Sequence, residues 1–187
     1  MNKRLILQIL GRVLAIEAGL MALPMLTALL CRENPLPFLA AMGITGAVGA
    51  LLWRLRPTHQ RLFARDGFVT VALSWIALTL FGALPYVFSG CIPNYIDAVF
   101  ETISGLSTTG STILADVEAL TRSCQFWRCF TQWIGGMGVL VFILAVLPMS
   151  GEYSMHIMRA EVPGPVVGKL VPRARKTAIL LYLIYIA

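Results

Sequence analysis

Charged side chains are scarce in this sequence of 187 residues, where Asp, Glu, Lys and Arg together make up 13% of the chain. An ordinary soluble domain carries roughly 25% charged residues. Hydrophobic residues account for 58%, and a soluble fold has no place to hide so much apolar surface. The composition therefore excludes a soluble globular protein and predicts an all-α polytopic membrane protein.

Histidine and cysteine are also few, with two and four residues respectively. His59 and His156 lack Cys or carboxylate partners at the spacing of zinc ligands, so we expect no zinc site and no bound cofactor. A disulfide between Cys91 and Cys124 would bracket a polar loop on the outer side, but sequence alone does not fix its geometry. All pairings therefore stay open among Cys31, Cys91, Cys124 and Cys129.

Five long apolar segments dominate the chain, and each approaches the ~20 residues that a membrane-spanning helix needs. Prolines within or at the end of these segments (Pro24, Pro85 and Pro148) predict kinks or helix ends. Three glycines in the second segment, Gly43, Gly46 and Gly49, predict a close-packing face against another helix. The segments are 5–30, 38–53, 68–88, 126–147 and 177–187.

The distribution of Lys and Arg predicts the orientation. Two basic residues precede the first segment, four lie between the second and third, and five lie between the fourth and fifth, which makes eleven of the fifteen. The positive-inside rule assigns that side and the amino terminus to the cytoplasm. Since the basic residues flank apolar spans rather than a soluble face, we expect no nucleic-acid partner. Residues 91–125 then lie on the outer side.

Within that outer stretch, residues 107–112 are six consecutive Ser, Thr and Gly residues. Such backbone cannot face lipid, because its N–H and C=O groups would lack partners. A helix capped by Asn94 and ending near Gly105 precedes them, and it is about 17 Å long, too short to cross a bilayer. Its apolar face consists of Ile96, Val99, Phe100 and Ile103.

This arrangement predicts a re-entrant unit over 94–115 that forms an ion pathway. The partial negative charge at the helix end favours a cation just beyond it. Residues 108–112 would then return outward as an extended strand whose carbonyls replace the hydration shell of the ion. Asp116 and Glu118 would raise the cation concentration at the outer mouth. A plain polar extracellular loop is the alternative.

Several polar residues inside the apolar segments have less certain roles. We expect Glu17 to pack against another helix, and Arg12 to reach the cytoplasmic surface. Arg128 and Gln132 either brace the polar loop through hydrogen bonds or anchor their helix at the interface. Interface anchoring is also expected of Trp127 and Trp133. The glycine-rich run 135–138 predicts close helix packing beside the loop rather than a phosphate site.

Two parts of the sequence, a loop and the helix that follows it, resemble the Trk/Ktr/HKT cation-transporter superfamily, its TrkH-like members in particular. Residues 100–112 (FETISGLSTTGST) are similar to the family's first pore loop. The later runs 126–128 (FWR) and 132–139 (QWIGGMGV) resemble the helix that follows it. The resemblance implies two leading helices (1–66), a helix–pore loop–helix module (67–150), and a loop with the start of a second module (151–187). The chain would then be an amino-terminal fragment.

What the resemblance implies is potassium uptake across the bacterial inner membrane, with potassium as the substrate. Gly110 matches the filter glycine associated with potassium, and Thr108, Thr109, Ser111 and Thr112 would be its filter neighbours. Homodimerisation and a cytoplasmic nucleotide-binding regulatory subunit are also implied. A non-conducting membrane scaffold is the alternative. An intramembrane enzyme is disfavoured, because no His or Lys base pairs with a Ser or Thr nucleophile in the membrane.

Overall fold

A computed structural model describes residues 3–55, 64–136 and 138, and its regular structure over these residues is entirely helical. This confirms the predicted fold class. The domain limits at 66 and 150 stay predictions. The helices are α1 (Lys3–Leu20), α2 (Ala22–Leu30), α3 (Leu36–Trp53), α4 (Ala64–Gly82), α5 (Leu84–Ser89), α6 (Tyr95–Leu106) and α7 (Arg122–Gly136).

Three stretches of helix are long and apolar enough to cross a membrane: Lys3–Leu30, Leu36–Trp53 and Asp66–Ser89. They confirm the first three predicted segments. The fourth segment is helical from Arg122, four residues earlier than predicted, because the helix begins with a polar turn before its apolar part. Its continuation from residue 139, the fifth segment and Pro148 lie outside the described residues.

Two of the three spans are interrupted beside a proline, as predicted. Helix α1 gives way to α2 at Met21, and α4 gives way to α5 at Ala83. Proline has no N–H to donate to the carbonyl four residues earlier, so the helical ladder breaks just before Pro24 and Pro85. At the second break the Tyr86 amide donates to the Ala83 carbonyl instead, at 3.2 Å. The break leaves the Gly82 carbonyl free for another partner.

Helices α1, α2 and α3 form a unit that we call the leading hairpin, in which α1 and α3 approach backbone to backbone. A Cβ atom on Gly49 would lie 2.8 Å from the Ala15 nitrogen and 3.0 Å from the Gly11 carbonyl oxygen. The prediction of a close-packing face is therefore confirmed at Gly49. The prediction is wrong at Gly43, where an added Cβ atom would meet nothing within 4 Å. Gly43 and Gly49 are six residues apart, so at 3.6 residues per turn they lie about 120° apart around the helix axis and cannot both face α1.

The remaining helices, α4 to α7, form a second unit that we call the pore module. Four of the largest buried side chains pack together where this module meets the leading hairpin: Met21, Phe38, Tyr86 and Trp127. Trp127 is 1% exposed, so the prediction that it anchors the membrane interface is wrong. Its indole Nε1 donates at 2.9 Å to the Gly82 carbonyl, which has no partner within its own helix. The break between α4 and α5 thus provides an acceptor for the indole N–H, and because this polar group is partnered, the indole can be buried.

Candidate ion-binding loop

Helix α6 delivers the chain to the polar stretch that the sequence singled out. The Asn94 side chain caps it, accepting a hydrogen bond from the Ile96 amide at 3.0 Å, and the helix ends at Leu106. One face of the helix is exposed and apolar, and it consists of Ile96, Phe100 and Ile103. Its buried face is instead small and polar, with Ala98, Glu101, Thr102 and Ser104 among its members.

The end of α6 lies directly against α7. A Cβ atom on Gly135 would overlap the carbonyl oxygen of Leu106, and one on Gly105 would lie 2.5 Å from Thr131 Oγ1. Only glycine allows this spacing of the two helices. The predicted role of the glycine-rich run in close helix packing beside the loop is confirmed at Gly135.

Residues 107–113, which we call the Ser/Thr loop, fold back onto the end of α6. The amides of Thr109 and Gly110 both donate to the Ser104 carbonyl, at 3.0 and 3.3 Å, and the Thr108 amide donates to Gly105 at 2.9 Å. Thr108 and Gly110 have φ angles of +59° and +74°. The prediction of a simple extended strand is therefore wrong at these two residues, because the last helical carbonyls capture the loop amides.

The carbonyl groups of the loop divide into two kinds. The Ser111 carbonyl accepts a hydrogen bond from the buried Ser104 hydroxyl at 2.5 Å. No donor among the described residues reaches the carbonyls of Thr108, Thr109 or Gly110. All three residues are exposed. Within the described part of the chain, their oxygens therefore have no partner and can bind a ligand, whereas Ser111 helps to hold the loop.

A single buried carboxylate, that of Glu101, supports the loop from behind. Glu101 Oε2 accepts hydrogen bonds from the Thr112 hydroxyl at 2.9 Å and from the Ile113 amide at 3.3 Å. Its Oε1 accepts from Arg128 Nε at 2.5 Å, in an ion pair whose carboxylate is 1% exposed. This geometry settles the open role of Arg128: it braces the loop through Glu101. Both charges are partnered, as buried charges must be.

Sequence reasoning missed Glu101 as a structural centre. The signal was present, since a carboxylate within a short helix at membrane depth needs a partner, and the next helix contains an arginine. Gln132 was considered together with Arg128, and its Nε2 lies 3.9 Å from the position that a Cβ on Gly110 would take. It therefore lies beside the loop without a hydrogen bond to it among the described residues.

Comparison with known proteins identifies the family of the chain. The family model for TrkH, described as a cation transport protein, matches residues 37–187. The chain is 41% identical to the Trk system potassium uptake protein TrkH of Halomonas elongata, over 99% of this chain and 39% of that protein. It is 40% identical to TrkH of Escherichia coli K12, over 100% of this chain and 39% of that protein.

The chain belongs to the TrkH family. It is also 35% identical to the potassium uptake protein TrkG of Escherichia coli, over 87% of this chain and 34% of that protein. The chain thus spans about two fifths of the length of the TrkH relatives, which is 39% in each case. The family resemblance predicted from residues 100–112 and 126–139 is confirmed.

In this TrkH-family chain, the leading hairpin also contributes to the placement of α7. The Glu33 side chain, between α2 and α3, accepts hydrogen bonds from the first amides of α7: Arg122 at 2.7 Å and Ser123 at 3.0 Å. The Ser123 hydroxyl adds a third at 2.6 Å. Partial burial raises the pKa of Glu33, but these hydrogen bonds outweigh it and lower the pKa overall. The carboxylate therefore acts as a helix cap supplied from a distant loop.

Glu17 provides a second contact between the hairpin and the pore module. Its carboxylate is buried, and Oε1 lies 2.9 Å from the position that a Cβ on Gly82 would take. The prediction that Glu17 packs against another helix is confirmed. Asp116 Oδ1 accepts a hydrogen bond from the Glu118 amide at 2.9 Å, and both residues are exposed beyond the loop.

Proposed function

We propose that this TrkH-family protein takes up potassium through a pore in which the Ser/Thr loop forms one segment of the selectivity filter. Potassium sheds its hydration water on entry, and the free carbonyls of Thr108, Thr109 and Gly110 replace part of that shell. The observation that carries the proposal is the division of the loop into free and held carbonyls. The names of the relatives, Trk system potassium uptake proteins, support the choice of ion.

The loop has the mechanical properties that such a filter segment requires. In the snug-fit explanation of selectivity, the carbonyl oxygens keep fixed positions around the ion, which requires the backbone to be held from the side away from it. Ser104 and Glu101 provide this support through Ser111, Thr112 and Ile113. The end of α6 adds its partial negative charge next to the loop. Ser111, through its carbonyl, and Thr112, through its hydroxyl, therefore hold the loop in place beside the free carbonyls.

One loop cannot surround an ion, and we propose that further loops of the same kind complete the ring. The family resemblance supports a homodimer with a cytoplasmic nucleotide-binding regulatory subunit. We place the protein in the bacterial inner membrane with its amino terminus in the cytoplasm and the loop entering from outside. The flanking basic residues support this orientation.

The experiment that tests the proposal measures rubidium influx and growth at limiting potassium, in cells that lack their own potassium uptake. The full-length protein containing this chain is compared with its Gly110→Ser variant. We expect the substitution to reduce rubidium influx by at least about tenfold or to shift uptake toward sodium, because one tenfold step corresponds to only about 1.4 kcal/mol at a binding site.

Gly90→Ser is the matched control. Gly90 has almost the same φ, +73° against +74° for Gly110, and open space around it, but it lies before α6. Both substitutions therefore place a side chain on a residue with positive φ, at different locations. Unchanged influx and selectivity in Gly110→Ser would contradict the filter assignment. No uptake by well-expressed wild type would favour the scaffold alternative.

A further inference from the structure

Two cysteines that are far apart in sequence meet at the outer end of the pore module. Cys91 lies between α5 and α6, and Cys124 lies in the first turn of α7. Their thiols are neighbours that interact electrostatically. One hydroxyl touches both residues: Ser89 Oγ is 3.2 Å from Cys124 Sγ and 3.4 Å from the Cys91 amide, which donates to it. The sulfurs therefore share one small polar site.

The two thiols differ in exposure and chemistry. Cys124 is 0% exposed, whereas Cys91 is partly exposed and lies 3.4 Å from the Thr121 hydroxyl. Interaction between the two thiols lowers the pKa of Cys91 and raises that of Cys124. Cys91 is also the more exposed of the two, so it is the thiol that an external reagent meets first, and Cys124 is placed to react with it next. All four cysteines are free thiols in this structure, and Cys31 and Cys129 are exposed.

We propose that Cys91 and Cys124 form a disulfide on the outer side of the membrane, which ties the start of the α6 segment to α7. The inference goes beyond the proposed function and rests on the predicted orientation, since disulfides persist outside the cytoplasm and are reduced within it. The bridge closes a loop that contains all of α6 and the whole Ser/Thr loop. It fixes the two ends of the ion-binding unit to each other.

The chemistry is an exchange with a disulfide oxidant. The Cys91 thiolate attacks one sulfur of the oxidant, forming a mixed disulfide and releasing the other half as a thiolate, which takes up a proton. Cys124 then loses its proton to solvent and attacks the Cys91 sulfur, releasing the second half of the oxidant. Two protein thiols are oxidised to one disulfide, and one oxidant disulfide is reduced to two thiols.

The test maps disulfides in the membrane-embedded protein after treatment with oxidised glutathione. Free thiols are alkylated without reduction, the protein is digested, and the peptides are identified by mass. We expect the peptides of Cys91 and Cys124 to be recovered linked, lighter than their sum by the two hydrogen atoms lost, and separately alkylated only after reduction. A Cys31→Ser/Cys129→Ser variant should give the same linked pair.

Two results would overturn the proposal. One is alkylation of Cys91 and Cys124 as separate peptides both before and after the glutathione treatment. The other is a link from Cys91 to Cys31 or Cys129 in preference to Cys124. Cys124→Ser should abolish the linked species, and mapping of the wild-type protein decides the question even if that variant folds poorly.

Discussion

The leading hairpin and the pore module both pack helices through glycine, but the pore module adds directional bonds between its helices. In the hairpin, α1 and α3 come close together at Gly11 and Gly49. In the pore module, Gly135 lets α7 lie against the end of α6, and hydrogen bonds also join the helices: Trp127 to Gly82 and Arg128 to Glu101. Close packing needs only small residues and suits a membrane. Buried ionic and polar bonds are costly there unless every partner is present.

This difference shows which part of the molecule needs backbone atoms at fixed positions and which part needs only tight packing. Polar bonds concentrate around the Ser/Thr loop, whose backbone must be held in two left-handed residues. The hairpin takes part through the Glu33 carboxylate, which accepts hydrogen bonds at the start of α7. We therefore expect changes in the hairpin interface to alter the amount of folded protein, and changes in the polar bonds to alter ion selection as well.

Removal of Arg128 should have the largest effect. Arg128→Met leaves the Glu101 carboxylate buried without its counter-charge, and breaking a buried pair typically costs about 3–5 kcal/mol. We expect a large fall in the thermal midpoint in detergent and loss of rubidium influx. The double variant Glu101→Gln/Arg128→Met should recover more than half of the lost stability. Equal losses in the single and double variants would show that the pair is not coupled.

Gly49→Ala probes the hairpin interface. Its Cβ would meet only backbone atoms of α1, which cannot rotate away, so we expect destabilisation of about 1–3 kcal/mol from overpacking. Gly43→Ala is the matched control on the same helix, since its Cβ would meet nothing within 4 Å. It should be neutral or more stable by up to about 1 kcal/mol through helix propensity. Comparison of thermal midpoints checks both, and a harmless Gly49→Ala would contradict the packing account.

Trp127→Phe isolates one polar bond of the pore module. The substitution keeps an aromatic ring but leaves the Gly82 carbonyl without a donor at the break between α4 and α5. An unsatisfied buried group costs about 1–3 kcal/mol, and we expect a loss at the lower end because the break can admit water. The check is a thermal melt together with hydrogen exchange of the α5 amides, which should become faster. Unchanged exchange would mean that the indole bond does not hold the break.

The smallest effect is expected from protonation of Glu33. Its pKa is lowered in the folded protein, so its contribution is present above the pKa of an unfolded Glu and is lost as pH falls through the folded pKa. A charge at an exposed helix start contributes about 0.3–1 kcal/mol. Wild type should therefore melt above Glu33→Gln at pH 7, and this difference should narrow on acidification below pH ~4. A difference that is constant with pH would contradict the capping role.

The local parts of this structure could be predicted from sequence and the long-range parts could not. The Asn94 cap, the short helix and the proline breaks follow from neighbouring residues, because each depends on the hydrogen-bonding capacity of a few positions. The pairing of Glu101 with Arg128 depends on how α6 approaches α7. Trp127 was misplaced for the same reason, since its acceptor exists only where α4 is broken. The left-handed Thr108 is local, since the capping bonds from Thr109 to Ser104 and from Thr108 to Gly105 require it. It was still not predicted, because glycine rather than threonine usually occupies this position.

The most direct test of the account measures rubidium influx per folded protein while external sodium is raised, for Glu101→Gln and Gly49→Ala side by side. We expect sodium to compete with rubidium more effectively in Glu101→Gln, because the loop loses its charged support. We expect Gly49→Ala to show the same competition as wild type, with a smaller amount of folded protein. Identical sodium competition in both variants and in wild type would contradict the claim that the polar bonds of the pore module serve ion selection.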